Sequence, residues 1–222
     1  MIHLDTELGQ LKKAIIEMMD LVILQLEKSK EAYIGMDIEL AEEIIHTEKR
    51  VNAMELSIDR ICENILNLSS PVATDFRFVV SALKINSELE RIADYAENIA
   101  KYNTKQQKPF NENQIEKVQL REMFDIAIRM MDDIQSAFET ENTKLARKVY
   151  KKDKKLNKIY DNLPSIISEF VKEDPEFIHS SLYLFSTIKK LERVGDHIKN
   201  ITEDIIYYVD AKVMKHKKKK MK

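Results

Sequence analysis

The chain has 222 residues, with 36 Lys+Arg against 38 Asp+Glu, 44% hydrophobic and 33% charged, and only three glycines, four prolines and no tryptophan. Breakers this scarce exclude an all-β fold, which needs Gly or Pro turns every ~8–12 residues, and indicate long helices. The single Cys62 excludes an internal disulfide, and its apolar helical surroundings indicate a buried thiol in a reducing compartment. Uncharged runs such as Leu21 to Leu24 and Ile205 to Val209 fall far short of the ~18 apolar residues that cross a bilayer. With Asp5 and Glu7 in place of an apolar leader, the expectation is a soluble cytoplasmic protein. A net charge of −2 provides no global field for nucleic acid. Six lysines crowd the last eight residues, and setting them aside leaves the body at −8.

The first predicted helix runs from about Asp5 to Tyr33, with apolar positions at Leu8, Leu11, Ile15, Met18, Met19, Val22 and Leu26. Gly35 beside its end reads as a C-cap, and Asp37 as the N-cap of the next helix. Leu40, Ile44, Val51, Met54, Ile58, Ile61 and Ile65 carry that second helix to about Leu68. Ser70-Pro71 separates it from a third helix ending near Tyr102, and Asn103 to Gln114, with Pro109, reads as a linker.

The second half then repeats the first. At a shift of 105, Glu17-Met-Met-Asp20 falls on Glu122-Met-Phe-Asp125, and Glu48 and Asn52 fall on Asp153 and Asn157. Past the next loop the shift becomes 102, and Leu89-Glu-Arg-Ile-Ala-Asp94 falls on Leu191-Glu-Arg-Val-Gly-Asp196. Such a period is far longer than a solenoid repeat. The expected fold is all-α, with six long helices in two tandem antiparallel three-helix bundles. The expected division is 5–102 for the first repeat, 103–114 for the linker, 115–212 for the second repeat and 213–222 for a basic tail.

At 100° per residue, Glu48, Asn52, Glu55 and Asp59 share an arc of about 60° that Lys49, Arg50 and Arg60 avoid. Glu90 and Asp94 stack at i,i+4, as do their copies Glu192 and Asp196; like charges at this spacing repel unless a cation neutralises them. Asp153 and Asp161 form the matching stripe on the second helix of the copy. The simpler reading pairs these acids with Arg91, Arg193, Lys189 and Lys199 on solvated faces. Against it, exposed charges have little reason to keep identity and spacing in both halves. Carboxylates from two neighbouring helices suit iron, manganese, magnesium or calcium, and spacing alone does not choose among them.

The segment Leu191-Glu-Arg-Val-Gly-Asp-His-Ile-Lys-Asn-Ile201, continuing to His216, closely resembles the end of PhoU proteins; Leu89 to Asp94 and Val51 to Asp59 are similar to that family's first repeat. The resemblance spans roughly Leu8 to His216. It implies a metal site on each bundle, binding iron or zinc clusters in some members. Carried onto this chain, the first would use Glu48, Asn52, Glu55, Glu90 and Asp94, and the second Asp153, Asn157, Asp161, Glu192 and Asp196. Asn52 and Asn157 stand where many members have Asp, and Tyr160 stands opposite Glu55, which lowers the negative charge of each site. The resemblance also implies a non-enzymatic negative regulator of phosphate uptake, bridging the phosphate transporter ATPase and a membrane sensor histidine kinase, and commonly dimeric.

Two other readings compete. Glu43-Ile-Ile-His46 and Glu176-Phe-Ile-His179 are the strings used by ferritin-like di-iron enzymes. His46, however, lies on the side opposite the acidic stripe, and neither His is repeated, their counterparts being Lys151 and Arg77. Both read as surface histidines, and His197 has at most a supporting role. The other alternative is a metal-free helical scaffold. The lysine tail is either solvated or drawn to an anionic membrane surface, at about 1 kcal/mol per lysine. Met18, Met19, Met130 and Met131 read as core filler. Glycines at only 9, 35 and 195 leave no phosphate-binding loop.

Overall fold

The structure, a computed structural model of the chain, describes residues 2–106 and 109–214. Helices α1 (Ile2–Gly35), α2 (Ile38–Leu68) and α3 (Thr74–Lys105) form the first antiparallel bundle. Asp37 caps α2, its side chain accepting from the Leu40 N–H at 2.9 Å. The left-handed residue that ends α1 is Met36, with φ 55°, and not Gly35, which remains helical. α3 outruns its sequence boundary by about a turn because Asn103 is buried, its Nδ2 donating to the Ala32 and Asp37 carbonyls and so tying the end of α3 to the α1–α2 turn.

The second repeat uses the same plan with breaks. A short α4 (Glu112–Lys117), opened by an Asn111/Gln114 capping box, precedes α5 (Leu120–Glu139). Where α2 is continuous, its copy divides into α6 (Thr143–Ala146) and α7 (Val149–Glu173). A single 3₁₀ turn (Pro175–Phe177) then leads into α8 (Ile178–Asp210). At the 105-residue shift, the first and last residues of α2 fall on the start of α6 and the end of α7, so the internal repeat is kept in the helix boundaries.

One continuous apolar core runs through both repeats, with Met18, Met19, Met130 and Met131 fully buried in it. α3 packs on α8 and α1 on α5, so the bundles are fused side by side and not merely tethered by the 106–111 connection. Phe78, Phe138 and Tyr208 join the halves at ring-centroid distances of 5.4–6.2 Å. Across the same seam, Glu88 of α3 contacts His197 Nδ1 at 2.5 Å and accepts from Asn200. Tyr95 lies against the His197 ring, and Lys190 Nζ lies 4.6 Å over the Tyr95 ring. No helix among the described residues is long and apolar enough to cross a membrane. The lysine tail, 215–222, lies outside the described residues.

Candidate metal centre

The apolar stripe Ile44, Val51 and Ile58 turns one face of α2 into the core, and Glu48 lies on that stripe. Its side chain is therefore drawn in between helices, and Glu48 is only 7% exposed. Oε2 accepts from Asn52 Nδ2 at 2.6 Å, whereas Oε1 is buried without a hydrogen-bond partner. Opposite stand Glu90 and Asp94 of α3. One carboxylate oxygen from each of Glu48, Glu90 and Asp94 lies within 4.8 Å of the other two, and no other set of three acidic, His or Cys side chains among the described residues does so.

Little in the protein neutralises this set. Arg91 is on the solvent side and reaches Glu90 and Asp94 only at 3.7 and 4.0 Å, a geometry that contributes little at an exposed site. Glu97, one turn beyond Asp94, adds a fourth carboxylate, and the nearest lysine, Lys101, is held on it at 2.6 Å. Burial is the largest reason that the Glu48 carboxyl titrates above the ordinary glutamate range, and the charges of Glu97, Asp94 and Glu90 push it further. Burial and then Asp94 and Glu55 raise Glu90 likewise. An orphaned buried carboxylate oxygen facing two more carboxylates is a donor set that fits a hard divalent cation, bound by oxygens at roughly 2.0–2.6 Å. Glu55, half-buried on the same stripe, has its carboxyl raised by burial and then by the charge of Asp59, whose carboxylate accepts from Asn86 Nδ2 at 2.9 Å; Glu55 stands outside the three-carboxylate set.

The second stripe has the same scaffold and a different interior. Asp153 of α7, the counterpart of Glu48, is 6% exposed, and Glu192 and Asp196 of α8 face it. Gly195 permits this approach, because a Cβ there would lie 2.6 Å from Leu156 Cδ1 and 3.5 Å from Asp153 Oδ1. The space between the acids is taken by Lys199: its Nζ donates to both oxygens of Asp153 at 3.1 Å and to Asp196 Oδ1 at 2.6 Å. Burial alone would lower the Lys199 ammonium, but its hydrogen bonds to Asp196 and Asp153 outweigh that and hold it above the ordinary lysine value. Asn157 keeps a buried amide oxygen without a partner. Asp161 is exposed, and its neighbour Tyr160 packs on Phe185 at 6.0 Å.

Of the ten sequence-derived ligands, the structure thus gathers Glu48, Glu90 and Asp94, with Asn52 bonded to Glu48, and separately Asp153 and Asp196, joined through a lysine. Sequence reasoning missed Glu97, although its i+3 spacing from Asp94 and i+7 from Glu90 put it on the same face. His46 and His179 are exposed and outside the cluster, His179 resting against Tyr183; the di-iron reading loses its ligands. His197 belongs to the seam between repeats.

Fold and site together define an all-helical protein made of two fused three-helix repeats, each presenting an acidic face. Comparison with known proteins gives that class its family. The PhoU domain model matches residues 15–102 and 120–205. The phosphate-specific transport system accessory protein PhoU homolog of Zymomonas mobilis is 33% identical over 95% of this chain and 88% of its own. PhoU of Escherichia coli K12 is 32% identical over 96% and 87%. The crystal structure of PhoU from Pseudomonas aeruginosa superposes with a TM-score of 0.86 at 29% identity, covering 94% of this chain and 99% of that one. The chain belongs to the PhoU family, whose members are named as accessory proteins of a transport system and not as enzymes.

Proposed function

We propose that this protein is an accessory regulator of phosphate transport that restrains phosphate uptake and the phosphate-starvation response. The observation that carries this reading is the match of both repeats, over nearly the whole chain, to relatives named phosphate-specific transport system accessory protein. In mechanism it is an adaptor. Two fused bundles offer two related faces on one rigid body, which suits simultaneous contact with the phosphate transporter ATPase and the sensor histidine kinase. The adaptor works in the cytoplasm as a homodimer, with the lysine tail holding it near the anionic inner membrane surface.

In this reading the first acidic cluster holds a divalent cation, iron or zinc, through Glu48, Glu90 and Asp94. Support comes from the unpartnered Glu48 Oε1 and from the long reach of Arg91, which comes only to 3.7 Å of Glu90 and 4.0 Å of Asp94. When bound, the metal supplies positive charge and cross-links α2 to α3. The residues themselves hold those helices in register, Glu48 from inside and Glu90 and Asp94 from the rim. Affinity capture on the full chain tests the adaptor role. Recovery of the transporter ATPase or the sensor kinase is expected, and recovery of neither, with the chain folded and bait saturating, refutes it.

A further inference from the structure

The two acidic faces share Asn52/Asn157, Glu90/Glu192 and Asp94/Asp196, with Glu48 answered by Asp153, and one of their differences reverses a charge. The repeat sets Glu97 opposite Lys199 and Lys101 opposite Glu203, so an acid-base pair one turn apart appears in reversed order on α3 and α8. Both inner members are nearly buried, the Glu97 side chain 15% exposed and that of Lys199 11%. On α3 the inner member is a carboxylate, and its lysine is displaced one turn outward. On α8 the inner member is an ammonium, and it reaches the buried acid of the neighbouring helix.

The consequences differ on each element packed against the two sites. Glu48 leaves Oε1 without a partner, while its counterpart Asp153 has both oxygens occupied by Lys199 Nζ. Asp94 has only the distant Arg91, while Asp196 has Lys199 at 2.6 Å as well as Arg193 at 3.7 Å. Gly195 brings α7 close enough for the lysine to span the gap. An ammonium among carboxylates occupies the volume a metal ion needs and supplies a charge that would repel it.

We infer that Lys199 is a built-in counter-ion that closes the second acidic site to metal, so that cation binding is confined to the first repeat. The inference rests on the proposal that the first cluster binds a cation, and deepens it by making the protein electrostatically two-faced: one repeat responds to metal and the other carries its own ammonium. Reversing the pair should therefore reverse the property. Lys199→Gln removes the internal cation while keeping a hydrogen-bonding side chain, and Glu97→Lys installs one in the first site.

The test uses the full chain without a metal-binding tag, Mn²⁺ as the sole probe, and bound Mn²⁺ measured by paramagnetic resonance, with circular dichroism confirming each fold. Wild type binds Mn²⁺, and Glu48→Gln and Glu97→Lys each lose it. In the Glu48→Gln background, Lys199→Gln restores Mn²⁺ binding at the second site. Retention of Mn²⁺ by folded Glu48→Gln, or no binding by a folded Glu48→Gln/Lys199→Gln variant, overturns the inference. Absence of Mn²⁺ from wild type combined with binding by Lys199→Gln overturns the first-site reading alone and leaves the role of Lys199 standing.

Discussion

Glu48→Gln should stabilise the metal-free protein, because the native carboxylate is buried beside two others. At 4.8 Å, the upper bound on their closest oxygen separations, one like-charge pair costs roughly 3 kcal/mol at an effective dielectric of 20 and roughly 1 kcal/mol in bulk water. Two such pairs, discounted for the partial exposure of Glu90 and Asp94, give a gain of about 2 kcal/mol, or roughly 4–8 °C in Tm for a chain of this size. Glutamine retains a carbonyl oxygen to accept from Asn52, so that hydrogen bond survives. The sign with pH follows from the upward shift of Glu48. A carboxyl raised in the folded state stabilises folding below the ordinary glutamate value of about 4.3, and that contribution is lost as pH rises through the shifted value. The advantage of Glu48→Gln should therefore be full at neutral pH and vanish below about pH 4. Thermal melts in chelator at pH 7 and pH 4 measure it, and Mn²⁺ at pH 7 should raise the wild-type Tm while leaving the variant unmoved. A variant that melts at or below wild type in chelator at pH 7 would refute the reasoning.

Two further outcomes follow from the packing. Gly195→Ala should cost about 1 kcal/mol in urea unfolding, the overpacking against Leu156 exceeding the gain in helix propensity; a net stabilisation would show that Leu156 has room to move. Cys62 is fully buried and its thiol is pushed up to about 12, chiefly by burial and then by Asp59 and Glu63. Thiol reagents at pH 7 should label it only at the rate of unfolding, and rapid labelling of the native chain would contradict that burial.

The chain's breakers and periodicities were sufficient to place the six long helices, because a helix is dictated by local spacing and local caps. Asp37 caps α2 from its own turn, and Ser69 to Ala73 separate α2 from α3 as Pro71 indicates. The repeat was equally visible, since matched letters at shifts of 105 and 102 need no coordinates. Gly35 misled because the left-handed residue falls one position later, at Met36, where the α1–α2 turn and the buried Asn103 decide which residue reverses the chain.

What local spacing could not reveal was which charges meet. Lys199 reads in the sequence as one of several cations on a solvated face, yet the close approach of α7 and α8 at Gly195 buries it against Asp153, 46 residues away. Glu48 reads as one of three acids on the α2 stripe, yet packing against α3 leaves its Oε1 buried and unpartnered among carboxylates. The sequence by itself determined the helices, their duplication and the acids available to the site. Only the tertiary structure decided that one acidic face encloses uncompensated charge and the other its own ammonium, because Coulomb interactions and desolvation depend on distances between helices that periodicity within a helix does not encode.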